Sequence, residues 1–364
     1  MTSLYRSVIF LLSIATTQVQ AIKWDLEGIK GGYHQNQPEL QQTTPHADPP
    51  SDRPRLPRPT CMTPEESETY LQIQENDEYR RFVNEEDKYF KSEYHSVDEL
   101  GQGSFGIAHL AIKNPVAWSP PSECHSTEVS ALYGKHAGAR CMPPRPQNLL
   151  LPPEIEMQKY LSQDGYENPY VPRVIDYMVT EGEYILVMEY FGEEWVDLNR
   201  YMTKHGKFSV NKARLILKEV ITALLSLKKL GVFHGDIAAR NVLYNDKTGN
   251  VKLIDFGVSE PLEEWDEDSS GSGSSEDESD FWNIEESDIY DIGKLMYHLL
   301  TSKDPFKNQA VQKEVAKKLG NSLGNPRSQL SIDAVDLVTT LFGQGSYQMT
   351  SFEDILQHSF FTSQ

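Results

Sequence analysis

The stretch that decides the fold runs from residue 234 to residue 257 and reads HGDIAARNVLYNDKTGNVKLIDFG. It contains Asp236, then Asn241, and finally Asp255 at the end of the apolar run 251–254. Hard oxygen ligands of this kind suit Mg2+ far better than they suit zinc. Phosphoryl transfer needs such an ion on the phosphates and a carboxylate that orients the attacking hydroxyl. Any one of these acids could be a loop cap, but together, at these spacings, they predict a phosphotransfer site.

A glycine-rich turn, GQGSFG, lies further upstream at residues 101–106. Glycine allows the backbone to bend closely over phosphates, because no Cβ stands in the way. The pattern alone is weak, since it also occurs in dinucleotide-binding turns. Those turns open into a helix, whereas the residues that follow here, Ile107–Ile112, have the pattern of a strand.

The arrangement of apolar residues predicts an α+β fold with two lobes. Short apolar runs separated by turns indicate an antiparallel sheet, and later segments have helical spacing. We therefore expect a bilobal protein with a small β-rich N-lobe and a larger α-helical C-lobe. The predicted strands are Tyr94–Leu100, Ile107–Ile112, Val129–Tyr133, Val171–Val179 and Tyr184–Glu189, and the clearest predicted helices are Glu154–Leu161 and Ser209–Leu230.

With these motifs in this order, the chain resembles the eukaryotic protein kinase superfamily over about Tyr94 to Phe361. The resemblance implies that ATP and Mg2+ are the cofactors, that Asp236 is the catalytic base with Arg240 beside it, and that Asn241 and Asp255 hold the metal. It also implies nucleotide contacts from the glycine-rich turn and from the connection between the lobes. These contacts are Gly101, Gly103, Ser104, Phe105, Gly106, Ala108, Glu189 and Phe191.

Lys135 is the predicted partner of the α- and β-phosphates. Its spacing from Glu154 resembles the interval between the family's lysine and helix glutamate, whereas Lys113 follows the glycine-rich turn too closely. Two alternatives stay open. Lys135 could be an ordinary surface lysine, and Glu156 could replace Glu154 as its partner.

Two features differ from the family pattern. Gly235 stands where an arginine commonly precedes the catalytic aspartate, and no Ala-Pro-Glu occurs between Asp255 and Asp288. Activation by loop phosphorylation is therefore not expected, because it works through new arginine pairs. Ala238 and Arg240 are similar to the tyrosine-kinase pattern, but the closing segment 355–361 is similar to Ser/Thr kinases. We expect transfer to a protein hydroxyl, with Ser/Thr slightly favoured over Tyr.

The charge of the chain indicates its kind of partner. Its net charge is −20, and residues 259–288 contain thirteen acidic and no basic residues. Nucleic acid and anionic membranes repel such a protein, so neither is expected as a partner. The acidic segment, placed at 258–287, is expected to be solvated and disordered and to attract basic protein substrates. A monomer is expected.

The N-terminus has the pattern of a secretory signal. The apolar run Val8–Ile14 precedes a small-residue cleavage site at Val19–Ala21. The alternative is a short membrane anchor, but the run is too short to span about 30 Å of hydrocarbon. The expected organisation is a signal peptide at 1–21, a disordered Pro/Gln-rich linker at 22–62, an acidic helical extension at 63–92 and a kinase domain at 93–362.

Secretion, retention in the secretory lumen or export into a host cell is expected, with no membrane attachment after cleavage. Two other functions stay open on sequence grounds. One is a pseudokinase that acts as a binding or scaffold protein, and the other is a phosphotransferase for small molecules.

Overall fold

The computed structural model shows two compact units, Met1–Glu167 with Arg173–Tyr190, and Asn168–Pro172 with Phe191–Gln364. We refer to them as the small unit and the large unit. The structure describes residues 8–15, 22–23, 60–61, 77–102, 106–113, 149, 151–163, 167–261, 277–303, 315–324, 328–343, 349 and 351–363. Among the helices of these residues, none is long and apolar enough to cross a membrane.

The elements of the small unit are β1 (Val8–Ala15), β2 (Ile22–Lys23), β3 (Thr60–Cys61), α1 (Asp77–Glu93), β4 (Tyr94–Gln102), β5 (Gly106–Lys113), α2 (Pro153–Leu161), β6 (Val174–Val179) and β7 (Glu183–Glu189). The unit is built around a five-stranded antiparallel sheet with strand order β4-β5-β1-β7-β6. Strands β2 and β3 form a separate two-stranded pair.

The middle strand of this sheet comes from the N-terminus. Strand β1 pairs with β5 from Val8↔Ile112 to Ile14↔Gly106, and with β7 from Ile9↔Glu189 to Ala15↔Glu183. The run that was interpreted as part of a signal peptide thus lies in the fold, and β2 and β3 lie in the segment expected to be a disordered linker. Cleavage after Ala21 stays a prediction, and it would remove this strand.

Helix α1 packs into the core of the small unit. Phe82 and Val83 share one apolar cluster with Ile155 of α2 and Leu186 of β7. Buried Glu86 accepts a hydrogen bond from the backbone N–H of Val179 at 3.2 Å, which satisfies a donor on edge strand β6. The extension is therefore helical where the structure describes it, while its predicted start at Thr63 lies outside the described residues.

The large unit is mostly helical. Its short sheet has the order β11-β10-β8, and β12 pairs with β9. Ser209 caps the long helix α4 by accepting a hydrogen bond from the N–H of Lys212. The elements are β8 (Trp195–Asp197), α3 (Leu198–His205), α4 (Val210–Lys228), β9 (Val232–Phe233), β10 (Val242–Asn245), β11 (Val251–Leu253), β12 (Glu260–Pro261), α5 (Asp277–Thr301), α6 (Val315–Ser322), α7 (Gln329–Leu341), α8 (Phe352–Gln357) and α9 (Ser359–Thr362).

Two predicted boundaries are corrected. Strand β6 begins at Val174 rather than at Val171, because residues 168–172 belong to the large unit, where the carbonyl of Tyr170 accepts a hydrogen bond from the N–H of Leu253 at 2.7 Å. The acidic segment 258–287 contains ordered structure at both of its ends, namely β12 and the start of α5 at Asp277.

Candidate active site

Asp236 is held in place by two side chains of its own loop. The Asn241 side-chain amide donates to the Asp236 backbone carbonyl at 2.9 Å and to its Oδ2 at 2.8 Å, and the Arg240 guanidinium donates to the same Oδ2 at 2.5 Å. A short 3-10 helix, Ala239–Asn241, brings these groups together. Because the amide nitrogen of Asn241 faces Asp236, its Oδ1 is the atom available to a cation.

Asp255 follows directly after β11 in a left-handed conformation with φ 69°. This conformation is uncommon for a residue other than glycine. Burial raises the pKa of the Asp255 carboxyl, the charge of Asp236 raises it further, and the N–H of Gly257 opposes both effects. Two carboxylates that repel each other in a partly buried place are a suitable environment for a divalent cation.

The side chains present fit Mg2+. Among the described residues there is no cluster of three or more His, Cys, Asp and Glu side chains that could hold a metal ion. The candidate ligands are instead one amide and one carboxylate, Asn241 and Asp255. Mg2+ is commonly held by one or two protein oxygens, while water and substrate phosphates complete its octahedral coordination.

His234 joins the loop of Asp236 to the strand that leads to Asp255. Its Nε2 contacts the carbonyl of Ile254 at 3.1 Å, and its Nδ1 accepts from the N–H of Asp236 at 3.3 Å. This arrangement requires the neutral ring with its proton on Nε2. Burial accordingly lowers the pKa of His234 to about 4. The ring also packs on Phe256, with 4.9 Å between the ring centroids.

Asp288 supports the same loop from helix α5. Its carboxylate accepts hydrogen bonds from the backbone N–H groups of His234 at 3.1 Å and Gly235 at 2.9 Å. The side chain is fully buried, and burial raises the pKa of Asp288 to about 7. Asp288 is not among the site residues predicted from the sequence. The available signal was a carboxylate inside the apolar pattern of a helix.

The geometry explains why residue 235 is glycine. Gly235 has φ 77°, and a Cβ there would lie 2.6 Å from the carbonyl oxygen of Val258. Any larger residue would therefore be strained in its backbone and would also collide with the segment that follows Asp255. The arginine of the family pattern is incompatible with this close approach.

The predicted nucleotide contacts of the small unit are partly described. Gly101 and Ala108 face each other in the β4–β5 pair, and Gly106 begins β5. Gly103, Ser104 and Phe105 lie outside the described residues, as does Lys135. The dismissed Lys113 forms an ion pair with Glu93 at 3.9 Å.

The remaining predicted residues occupy separate places. Glu154 and its rival Glu156 are both buried in α2, and Glu156 pairs with Lys159 one helical turn away, at 3.3 Å. Glu189 ends β7, and its N–H donates to the carbonyl of Arg173 at 2.9 Å. Phe191, in the large unit, packs against Trp195 with 5.2 Å between the ring centroids. The residues that the structure brings together are Asp236, Arg240 and Asn241, with Asp255 coupled to them by charge.

The chain is similar in sequence to known proteins. The family model described as protein kinase domain matches residues 150–361. Serine/threonine-protein kinase PLK4 of Drosophila grimshawi is 31% identical over 172 residues, covering 45% of this chain and 22% of the relative. Sucrose non-fermenting protein kinase 1 of Fusarium virguliforme is 24% identical over 277 residues, covering 74% of this chain and 36% of the relative. Protein kinase kin1 of Schizosaccharomyces pombe is 28% identical over 198 residues, covering 52% of this chain and 22% of the relative.

The chain therefore belongs to the protein kinase domain family. The predicted superfamily, the bilobal α+β fold and the protein kinase class of enzyme are confirmed at this level. The matches span between about a fifth and about a third of the length of these curated relatives.

Proposed function

We propose that the chain transfers the γ-phosphate of Mg-ATP to a hydroxyl group of a protein, with Ser/Thr favoured over Tyr. The observation that carries the proposal is the Asp236 carboxylate, oriented by Asn241 and Arg240 and coupled by charge to Asp255. The similarity to serine/threonine-protein kinase PLK4 of Drosophila grimshawi supports the preference for Ser/Thr.

In the proposed reaction, Asp236 orients the substrate hydroxyl and accepts its proton. The hydroxyl oxygen forms a bond to the γ-phosphorus as the bond to the β,γ-bridging oxygen breaks, and ADP leaves. Bound Mg2+, held by Asn241 and Asp255, would neutralise charge on the phosphates. The Arg240 guanidinium keeps the Asp236 carboxylate in place, since their hydrogen bond fixes one of its two oxygens.

The nucleotide contacts belong to the same proposal. We assign binding of the phosphates to Gly101, Gly103 and Gly106 with their neighbours, and the clamp on the α- and β-phosphates to Lys135 paired with Glu154. Glu154 and Glu156 are both buried, and the choice of Glu154 rests on its spacing from Lys135.

The test compares purified wild-type protein with Asp236→Asn, using labelled ATP, Mg2+ and a library of Ser, Thr and Tyr peptides. Loss of a general base costs roughly 10²- to 10⁴-fold in rate, so the variant should be close to inactive. Asp246→Asn is the matched control, because Asp246 is an exposed aspartate of the large unit whose partner is Lys212. Equal activity of Asp236→Asn and the control would refute the proposal.

A pseudokinase is the second candidate, and one observation favours it. The middle strand of the small unit reads VIFLLSIA and contains no lysine that could contact a nucleotide. Mg-ATP that raises the melting temperature of wild-type protein without any phosphate transfer would support this alternative. Transfer to small molecules but to no peptide would instead support a small-molecule phosphotransferase.

We propose further that the protein enters the secretory route, acts as a monomer and prefers basic substrates. The apolar N-terminal run supports the first point and the acidic segment supports the last. N-terminal sequencing of protein from medium and from cells tests the route. Secreted protein that begins at Ile22 is the expected result, and protein found only in cells with residues 1–21 intact would contradict it.

A further inference from the structure

The segment that follows Asp255 approaches the loop of Asp236 at Val258, next to Gly235, and contacts it again at Ser259. This side chain is buried, and its Oγ donates a hydrogen bond to the backbone carbonyl of His234 at 3.0 Å. The N–H of Ser259 donates to the carbonyl of Phe256 at 3.1 Å, which closes a tight turn after the Asp-Phe-Gly sequence.

This contact continues a ladder between two segments. Strands β9 and β12 pair as Val232↔Pro261 and Phe233↔Glu260. The same register continues with His234 opposite Ser259, through the hydroxyl bond, and with Gly235 opposite Val258, through their close approach. Four consecutive positions on each segment are therefore in contact.

The serine hydroxyl satisfies a buried backbone acceptor. Pro261 has no N–H, so Phe233 and Glu260 are the pair that can exchange backbone hydrogen bonds, and the next position, His234 opposite Ser259, receives no backbone donor from the ladder. The N–H of Ser259 donates instead to the carbonyl of Phe256, and the N–H of Gly235 donates to Asp288. The hydroxyl of Ser259 therefore supplies the hydrogen bond that the buried His234 carbonyl needs, one position beyond the paired strands.

The ladder ends next to both acidic site residues. Asp236 follows Gly235 directly, and Asp255 precedes the Phe256–Ser259 turn in a strained left-handed conformation that its surroundings must maintain. We propose that Ser259 is a positioning residue that fixes the placement of Asp255 relative to Asp236. The proposal rests on the proposed kinase function. In it, the segment that follows Asp255 is anchored by a serine hydroxyl and requires no phosphate.

The experiment compares full-length wild-type protein with Ser259→Ala, Ser259→Thr and the control Thr340→Val. Thr340 is also buried, and its hydroxyl donates to the carbonyl of Asp336 at 2.9 Å in helix α7, so the control loses the same kind of bond. The measurements are kcat and KM for a serine peptide flanked by Lys and Arg, the Mg2+ concentration for half-maximal rate, and the melting temperature with and without Mg-ATP.

Ser259→Ala should lower kcat about tenfold and raise the Mg2+ requirement by a similar factor, while the peptide KM changes less than about twofold. Ser259→Thr should restore kcat, because its hydroxyl can make the same bond. Both Ser259→Ala and the control should melt at similar temperatures without nucleotide. A purely structural role would lower the melting temperature of Ser259→Ala and leave its kcat and Mg2+ requirement equal to those of the control, and this result would overturn the proposal.

The failure of the proposed function has a different signature. Wild-type protein would then transfer no phosphate, and the positioning role would be tested only by the rise in melting temperature that Mg-ATP produces. A smaller rise in Ser259→Ala than in Thr340→Val would still support it, and equal rises would refute it.

Discussion

Gly235→Ala is the substitution whose cost can be worked out most directly from the structure. The residue has φ 77°, and a left-handed conformation costs a residue with a Cβ about 1–2 kcal/mol. The new Cβ would also lie 2.6 Å from the Val258 carbonyl oxygen, whereas ordinary contact begins near 3.4 Å. Relieving such overpacking typically costs about 1–3 kcal/mol. The expected loss of unfolding free energy is therefore about 2–5 kcal/mol.

Gly249→Ala provides the matched control. Gly249 has φ 81°, but nothing lies within 4 Å of the position its Cβ would take. This variant should therefore lose only the conformational part, about 1–2 kcal/mol. The difference between the two variants isolates the close approach of Val258 to Gly235.

The assay is urea unfolding followed by tryptophan fluorescence, together with the rate of phosphate transfer. Gly235→Ala should unfold at a lower urea concentration than the control with the same slope, and it should lose activity, since relief of the clash moves a neighbour of Asp236 or of Gly257. Gly235→Arg should be at least as damaging and should not create dependence on phosphorylation. Equal midpoints for Gly235→Ala and Gly249→Ala would refute the reasoning.

Two further predictions concern buried charges of the large unit. Between pH 6.5 and 4 the unfolded chain binds a proton at His234 that the folded chain does not, so acidification removes up to about 3 kcal/mol of stability. Asp288 acts with the opposite sign, because its folded pKa of about 7 lies above the unfolded value, and it adds stability as pH falls from 7 toward 4. As the pH falls from 7 to 4, the unfolding free energy of Asp288→Asn should therefore decrease by roughly 4 kcal/mol more than that of wild type, as measured by urea titration. Parallel pH profiles of the two proteins would contradict this. Lys228→Met should cost about 3–5 kcal/mol, since Lys228 pairs at 2.9 Å with the fully buried Glu285. The double variant with Glu285→Gln should recover most of that loss, and an equally unstable double variant would argue against an uncompensated buried charge.

The chemistry of the site could be predicted from the sequence because its parts are close along the chain. Asp236, Arg240 and Asn241 lie within one short loop, so their spacing already determines which of them can meet. Asp288 and Ser259 were not predicted as site residues because each acts on a backbone group far away in sequence, 54 and 25 residues from His234. A side chain that hydrogen-bonds to a backbone carbonyl or N–H places no requirement on the type of residue at its partner's position. Such a contact therefore leaves no residue pattern in the sequence.

The fold shows the same division between local and distant causes. Helix α4 was expected within two residues of its ends, because a serine cap and apolar residues at helical spacing are local signals. The Gly235 substitution was interpreted as the loss of a phosphate-binding arginine. The structure adds that the glycine is required by Val258, a contact that no spacing within either motif could indicate.

Strand β1 shows how one pattern can support two structures. A run of eight largely apolar residues suits the core of a signal peptide and equally suits a strand buried in the middle of a sheet. The two roles exclude each other, because cleavage after Ala21 would leave β5 and β7 each with an unpaired edge. A secreted form would therefore need another strand in that place, and Val129–Tyr133, which leads to Lys135, is the remaining segment with a predicted strand pattern. The fate of the N-terminus and the identity of the ATP-binding lysine are thus one question, since a chain that keeps β1 has no lysine in its middle strand.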